Sequence, residues 1–326
     1  MKLNNKGFAF STLLYGILAV IIIVLMVIFA LYSSANNQSY YYAQVFEENL
    51  NKCVDQEISL QKCYGAGNSC DEYRKAYYAC LGLDDKAAGG KKVSFRTTLV
   101  NKKVTSGNGL YQLASSDNLA YEFRGDVVKN YVSFSGANWR VIGITKLGEI
   151  KIGLFDSSEM LSWDNANECE WSVASLNNYL NGSFFNNLSD GYMIVKSNYN
   201  IGRLNTSSNY SAGDIISTER NATHNSNVGL PNVSDYVRAS LISTCNSNII
   251  DNNTCTSWMS GSDSWLISAG ENSSHKAYYF KAGSGVKRDA ANTAWKYVPV
   301  VHLSPDTTIV EGAGDGSSSQ PYILGR

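Results

Sequence analysis

Seven cysteines, Cys53, Cys63, Cys70, Cys80, Cys169, Cys245 and Cys255, carry the most definable chemistry in this chain. The first four are spaced C-x9-C-x6-C-x9-C. Ten residues of helix rise about 15 Å, whereas a disulfide needs Cα atoms within about 7 Å, so Cys53 cannot reach Cys63 inside one helix. Folded as an antiparallel helical hairpin, the segment aligns Cys53 with Cys80 and Cys63 with Cys70 as two rungs. Gly65 and Gly67 suit the end of the first helix, and Ser69-Cys70-Asp71-Glu72 reads as a capping box opening the second. Zinc is the other use of four cysteines, but the wide gaps lack its close ligand pairs. Cys245 and Cys255 are expected to close the loop CNSNIIDNNTC. Cys169 is left over. Glu168 and Glu170 flank it and would raise its pKa, so a free thiol is expected, with an intermolecular disulfide as the alternative.

Other chemistry-bearing residues do not converge in the sequence. His224, His275 and His302 stand far apart with no metal-ligand spacing, and neither a G-x-S-x-G elbow nor a Walker loop is present. Gly312, Gly314 and Gly316 alternate without a following helix and read as a turn. Asp164, Asn165, Asn167 and Glu168 could supply oxygen ligands to calcium but follow no fixed loop motif. No catalytic residue, metal or cofactor is therefore assigned, and the chain is expected not to be an enzyme. Trp163, Trp171, Trp258 and Trp265 lie in a region rich in Asn, Ser and Tyr, a palette suited to carbohydrate or peptide, and form a candidate ligand surface. The alternative is that they are core.

These residues must be positioned by elements that begin at the N-terminus. From Phe8 to Tyr32 only Ser11 and Thr12 are strongly polar, and a helix of that length reaches roughly 37 Å, enough to cross the ~30 Å hydrocarbon core of a bilayer. Lys2 and Lys6 precede the run and no Lys or Arg follows until Lys52, so the N-terminus is expected in the cytoplasm and the remainder outside. A cleaved secretion signal ending at Ser33-Ser34-Ala35 is the competing reading, although such signals have apolar cores of about 7–15 residues. Over all 326 residues the formal charge is −1 and 17% are charged, which leaves no basic footprint for nucleic acid.

The junction Lys6-Gly7-Phe8, followed by one apolar helix, resembles the class III leader of type IV pilins and pseudopilins. That resemblance covers residues 4–34. It implies prepilin-peptidase cleavage between Gly7 and Phe8, methylation of Phe8, and contact with other pilin-like subunits. The chain departs from the family at Thr12, where the family has Glu, and so fits a minor or tip position better than a major pilin. The cysteine hairpin is similar in spacing to the twin CX9C hairpins of small oxidised proteins. It is expected to serve as a stalk.

Gly89-Gly90 and the basic run after it mark a linker over residues 84–108. Beyond it, YVSFSGANWRVIGITKLGEIKIGLFD contains three strand-like runs separated by Ser135-Gly136 and Leu147-Gly148, an antiparallel meander. WSVASLNNYLNGSFFNNL reads as a helix with Ser172 as N-cap, and VGLPNVSDYVRASLIS as a second helix starting near Ser234. Late strands are expected at 265–268, 277–281, 297–303 and 307–310, with a short one at the end. The series YVSFSGANWRVIGI, WSVASLNNYLNG, VGLPNVSDYVRAS, SWLIS and YVPVVHLSP resembles an uncharacterised family of surface domains in low-GC Gram-positive gut bacteria. That family is itself similar to C-type-lectin-like or formylglycine-generating-enzyme-like folds, and it implies no activity.

The expected fold class is thus α+β: a leader over 1–7, a transmembrane pilin-like helix over 8–34, a stalk and hairpin over 35–83, the linker, and a mostly antiparallel α+β domain over 109–326. The expected function is a membrane-anchored, pilin-like surface protein presenting a binding or adhesion domain. Its partners would be the bilayer, other pilin-like subunits, prepilin peptidase and a glycan or peptide ligand. A single-pass sensor that never polymerises and a competence pseudopilin for DNA uptake are the alternatives.

Overall fold

Two turns organise the domain. Ser135 and Gly136 both take positive φ, 48° and 78°, which is what a two-residue type I′ hairpin loop demands at its centre. A second reversal at Gly148, φ 87°, returns the chain along the other edge of the same strand. The computed structural model describes residues 91–114, 119–205, 212–242, 245, 255–261, 263–270 and 275–325. The leader, the helix over 8–34, the hairpin over 35–83, Gly7, Phe8 and the pairs Cys53–Cys80 and Cys63–Cys70 lie outside them.

The strands of the first half are β1 (Lys92–Ser94), β2 (Gly109–Gln112), β3 (Leu119–Arg124), β4 (Tyr131–Phe134), β5 (Ala137–Thr145), β6 (Ile150–Gly153), β7 (Met160–Ser162) and β8 (Ser197–Asn200). Those of the second are β9 (Thr223–Ser226), β10 (Val228–Gly229), β11 (Ser264–Ala269), β12 (Lys276–Lys281), β13 (Gly285–Ala290), β14 (Ala294–Lys296), β15 (Val300–Leu303), β16 (Thr308–Val310) and β17 (Tyr322–Ile323). The α-helices among the described residues are α1 (Phe95–Val100), α2 (Ser175–Tyr179), α3 (Ala212–Glu219) and α4 (Val233–Ala239).

The main sheet runs β10-β15-β6-β5-β3-β2, antiparallel throughout, with β4 added beside β5 and β17 parallel to β4. A second sheet, β11-β12-β13, is also antiparallel, and β1–β16, β7–β14 and β8–β9 form two-stranded pairs. β6 is buried on both faces, with Ile150 and Ile152 at 0% exposure, and Val141, Ile142, Ile144, Val300, Val301 and Leu303 surround it. Each such aliphatic side chain contributes about 1.5–3 kcal/mol on burial. Helix α4 is buried on every side, with Tyr236 stacked on Phe280 at 4.4 Å between ring centroids.

The α+β expectation is corrected to a mostly antiparallel β architecture with four short helices among the described residues. Among those residues no helix is long and apolar enough to cross a membrane. The helix expected over 171–188 breaks at Ala174, ψ 141°, which separates a 3-10 turn from α2, and is distorted again at Gly182, φ −103°, ψ −106°, inside the π turn that follows α2. Ser172 lies within the 3-10 turn, and Ala174 occupies the N-cap of α2. Segments without a clear strand pattern, SNYN, THNS and GVKRDA, become β8, β9 and β13 through their partners' pairing. Part of the expected linker belongs to the domain: Ser94 Oγ caps α1 at Thr97 N, 3.2 Å, and Phe95 and Leu99 are buried.

Candidate functional site

Cross-strand register places four residues in one row across the main sheet. Glu122 on β3 faces Gly143 on β5, Gly143 faces Lys151 on β6, and Lys151 faces His302 on β15. Directly opposed residues of antiparallel strands project to the same side, so three polar side chains share a face. Helix α4 lies over that face. Asn232 and Asp235 form the capping box at its start, and Asp235 and Arg238, three apart, lie on neighbouring turns of one face.

The pairings follow from that placement. Lys151 Nζ donates to Asp235 Oδ2 at 2.5 Å, and Arg238 Nε to Glu122 Oε2 at 2.8 Å, with all four side chains 4% exposed or less. Arg238 Nη2 stands 3.6 Å from Asp235 Oδ1 and links the two pairs. Charges this deep persist only when compensated, because the desolvation of each ion costs several kcal/mol. Burial pushes Glu122 up to about 7 despite the opposing pull of Arg238. Burial likewise raises Glu219, whose Oε1 accepts from Val233 N at 2.9 Å and from Ser268 Oγ at 2.6 Å, fastening α4 at its first residue.

Beyond Lys151 the row opens. His302 Nδ1 lies 3.0 Å from Glu149 Oε2 in the β5–β6 turn. Burial, reinforced by the nearby Lys151 charge, lowers the His302 pKa, so the ring is neutral at pH 7. Burial alone would raise Glu149, but hydrogen bonds from His302 and Thr145 outweigh it and hold the carboxyl below its ordinary range. A carboxylate only accepts, so the proton sits on Nδ1 and Nε2 is a bare acceptor. That Nε2 is buried and has no hydrogen-bond partner among the described residues. Tyr199 fixes the ring edge-on at 5.1 Å and donates its hydroxyl to Val300 O at 2.8 Å. Gly229 is required here, since a Cβ would sit 2.4 Å from the Tyr199 ring.

His302, Glu149 and Lys151 form one wall of a cleft of about 290 Å³ between the β5–β6 turn and the β8–β9 pair. Lys146, Lys196 and Arg220 stand around it, and all three are exposed. Asn198 and Asn225 face each other across β8 and β9, with Asn225 Nδ2 3.0 Å from Asn198 Oδ1. The size is near the lower end of ligand pockets, roughly 300 Å³ upward.

Apart from His302, the residues singled out from sequence lie elsewhere. Trp163, Trp171, Trp258 and Trp265 are 0–6% exposed and belong to the core, which corrects their reading as a ligand surface. Trp163 packs on Trp171 at 5.2 Å and donates Nε1 to Leu266 O, while Trp265 donates to Leu161 O and Trp258 to Phe123 O. Asp164 accepts from Ser175 N through Oδ1 and from Glu168 N through Oδ2, so its carboxylate organises a loop with backbone donors. Cys245 and Cys255 are disulfide-bonded, with Cα atoms 5.2 Å apart. Cys169 is a buried free thiol whose pKa rises to about 11. Its cause is chiefly burial, to which Asp164 adds, rather than the flanking glutamates. The three histidines do not gather, and no group of metal-binding side chains occurs among the described residues.

Spacing tests His302 only as a metal ligand and passes over Glu149 and Lys151. The available signal is local: EIKIG and VVHLS each place one polar residue inside an apolar strand run. Comparison with protein-family models, curated proteins and solved structures finds no match.

Proposed function

We propose that this chain is a membrane-held, pilin-like cell-surface protein whose domain from Lys92 onward binds a glycan or peptide ligand in the cleft beside His302, and that it performs no catalysis. The observation that carries this reading is a polar cleft lined by His302, whose buried Nε2 has no hydrogen-bond partner among the described residues. A group of that kind is costly to leave dry, and a ligand donor would satisfy it. Binding fits better than catalysis because the acid–base groups are already committed. Asp235 neutralises Lys151, Glu149 orients His302, and no hydroxyl stands on His302 Nε2 among the described residues as an activated nucleophile would.

Support for the membrane-held part comes from the apolar run after Lys6-Gly7-Phe8. Thr12 favours a second reading, a single-pass protein that does not polymerise. The N-terminal mass of protein taken from its own membrane separates the two: a methylated start at Phe8 supports the pilin-like reading, and an intact Met1 the simple anchor. For binding, the full chain in detergent is screened against immobilised saccharides and peptides beside Asn198→Trp, which fills the cleft mouth without regard to ligand charge. Saturable binding lost in the variant supports the reading. No binding, or binding that Asn198→Trp leaves intact, overturns it.

A further inference from the structure

We propose that a second cleft, at the β2 edge of the main sheet, binds a small amphipathic carboxylate: an unbranched aliphatic acid whose head meets Lys102 and whose chain lies in the apolar recess beside it. The site shares no lining residue with the cleft beside His302 and is independent of the reading given to that one.

The recess selects the tail. The cleft encloses about 350 Å³ between the end of α1, the start of β2 and the β3–β4 connection. Its floor is the edge of the core: Leu99 on α1, Leu110 on β2, and Phe123 on β3, which stands opposite Leu110 across the two strands. These three are at most 6% exposed and close the bottom. The mouth supplies the open apolar surface, with Val127 79% exposed and Val104 half-buried. A mainly apolar lining with a few polar groups at the rim is the composition of small-molecule sites. A glycan laid on this floor would leave hydroxyls unmet, whereas methylenes lose nothing there.

The rim selects the head. Three charged side chains line the cleft, Lys102, Lys129 and Asp315. Lys129 and Asp315 pair with each other, which leaves Lys102 as the surplus cation. Lys102 forms no ion pair among the described residues; its Nζ donates to Tyr322 Oη at 2.8 Å. Tyr322 is buried against Phe95, with 5.3 Å between ring centroids, so a neutral hydroxyl anchored in the core holds the ammonium at the rim. An ammonium has three N–H donors and the hydroxyl takes one, so two remain for a carboxylate. The cation is positioned before the ligand arrives, which lowers the ordering cost of binding. One surplus positive charge matches a carboxylate better than a phosphate, which carries about −1.5 to −2.

Calorimetric titration of the full chain in detergent tests this with butanoate, hexanoate and octanoate, beside hexanol and hexyl phosphate. Each is measured for the native chain, Lys102→Gln, Lys102→Arg and the other cleft's Asn198→Trp. Lys102 is exposed, so its variants are expected to fold. Partition of a probe into the micelle is the same for every protein, so differences between proteins report the cleft. The expected result is affinity rising roughly two- to fourfold per added methylene, as burial of the chain requires. Hexanoate should weaken roughly tenfold in Lys102→Gln, recover in Lys102→Arg, and be unchanged in Asn198→Trp, while hexanol is indifferent to all three. Hexanoate binding that Lys102→Gln leaves intact, affinity flat along the series, or no uptake beyond the micelle overturns the proposal. Tighter binding of hexyl phosphate than of hexanoate overturns the choice of head group. Hexanoate lost in Asn198→Trp but not in Lys102→Gln places the acid in the cleft beside His302 and overturns the proposal as well.

Discussion

The two ends of the polar row share one sheet face but meet different surroundings. At the β3 end, Glu122, Arg238, Asp235 and Lys151 are covered by α4 and pair with one another. At the β15 end, His302 and Glu149 pair but border a cleft ringed by Lys146, Lys196 and Arg220. The covered end pairs opposite charges and uses them to hold a helix on a sheet, with Glu122 Oε1 left without a hydrogen-bond partner among the described residues. The other leaves His302 Nε2 unpartnered at a residue that lines a cleft. Covering a charge converts it into architecture, whereas leaving its neighbour at a cleft keeps it available for recognition.

The largest effect is expected from breaking the covered end. Asp235→Ala leaves Lys151 buried without its partner and removes the capping box of α4, and should destabilise the domain by about 3–5 kcal/mol. A denaturant titration of the full chain checks this. The double replacement Asp235→Leu with Lys151→Met removes both charges, and should recover much of that loss because well-packed apolar pairs replace buried ion pairs at little net cost. If the double variant is as unstable as the single one, the capping box rather than the ion pair is what holds α4.

A second break acts through pH. The Glu122 carboxyl titrates near 7 in the folded chain, above its ordinary value of 4.5. A raised folded pKa contributes stability fully below pH 4.5, and that contribution is lost as pH rises through 7. The span corresponds to about 3 kcal/mol. Chemical denaturation between pH 4.5 and 8 should show this decline in the native chain and a flatter profile in Glu122→Gln. His302 works in the opposite sense: its lowered pKa stabilises at neutral pH and above, and the contribution is lost as pH falls below 6.5 through the folded value.

The smallest stability effect is predicted where recognition is placed. Lys196→Gln should change unfolding free energy by less than about 0.5 kcal/mol, as exposed substitutions do. A stability loss as large as that of Asp235→Ala would erase the distinction between the two ends.

How much of this was legible depends on whether the signal is local. The Ser135-Gly136 and Gly148 turns announce themselves because φ above zero demands particular residues, and the capping residues around Asp235 mark α4 within one position. The strands SNYN and THNS carry no such mark, since asparagine-rich edges pair only because partners are supplied. The tryptophans drew attention as a surface because their neighbours are polar in sequence. In the fold each finds a buried packing partner or carbonyl instead. The row itself joins residues 122, 143, 151 and 302, brought together by sheet register, which composition and spacing do not encode.

The most direct test is lysine acylation of the native full chain read by mass spectrometry. The account predicts that Lys151, whose side chain is buried against Asp235, stays unreacted until the chain unfolds, while the exposed Lys196 reacts readily. Lys151 reacting as fast as Lys196 in the native chain would contradict the division of the row into a covered, structural end and an open one.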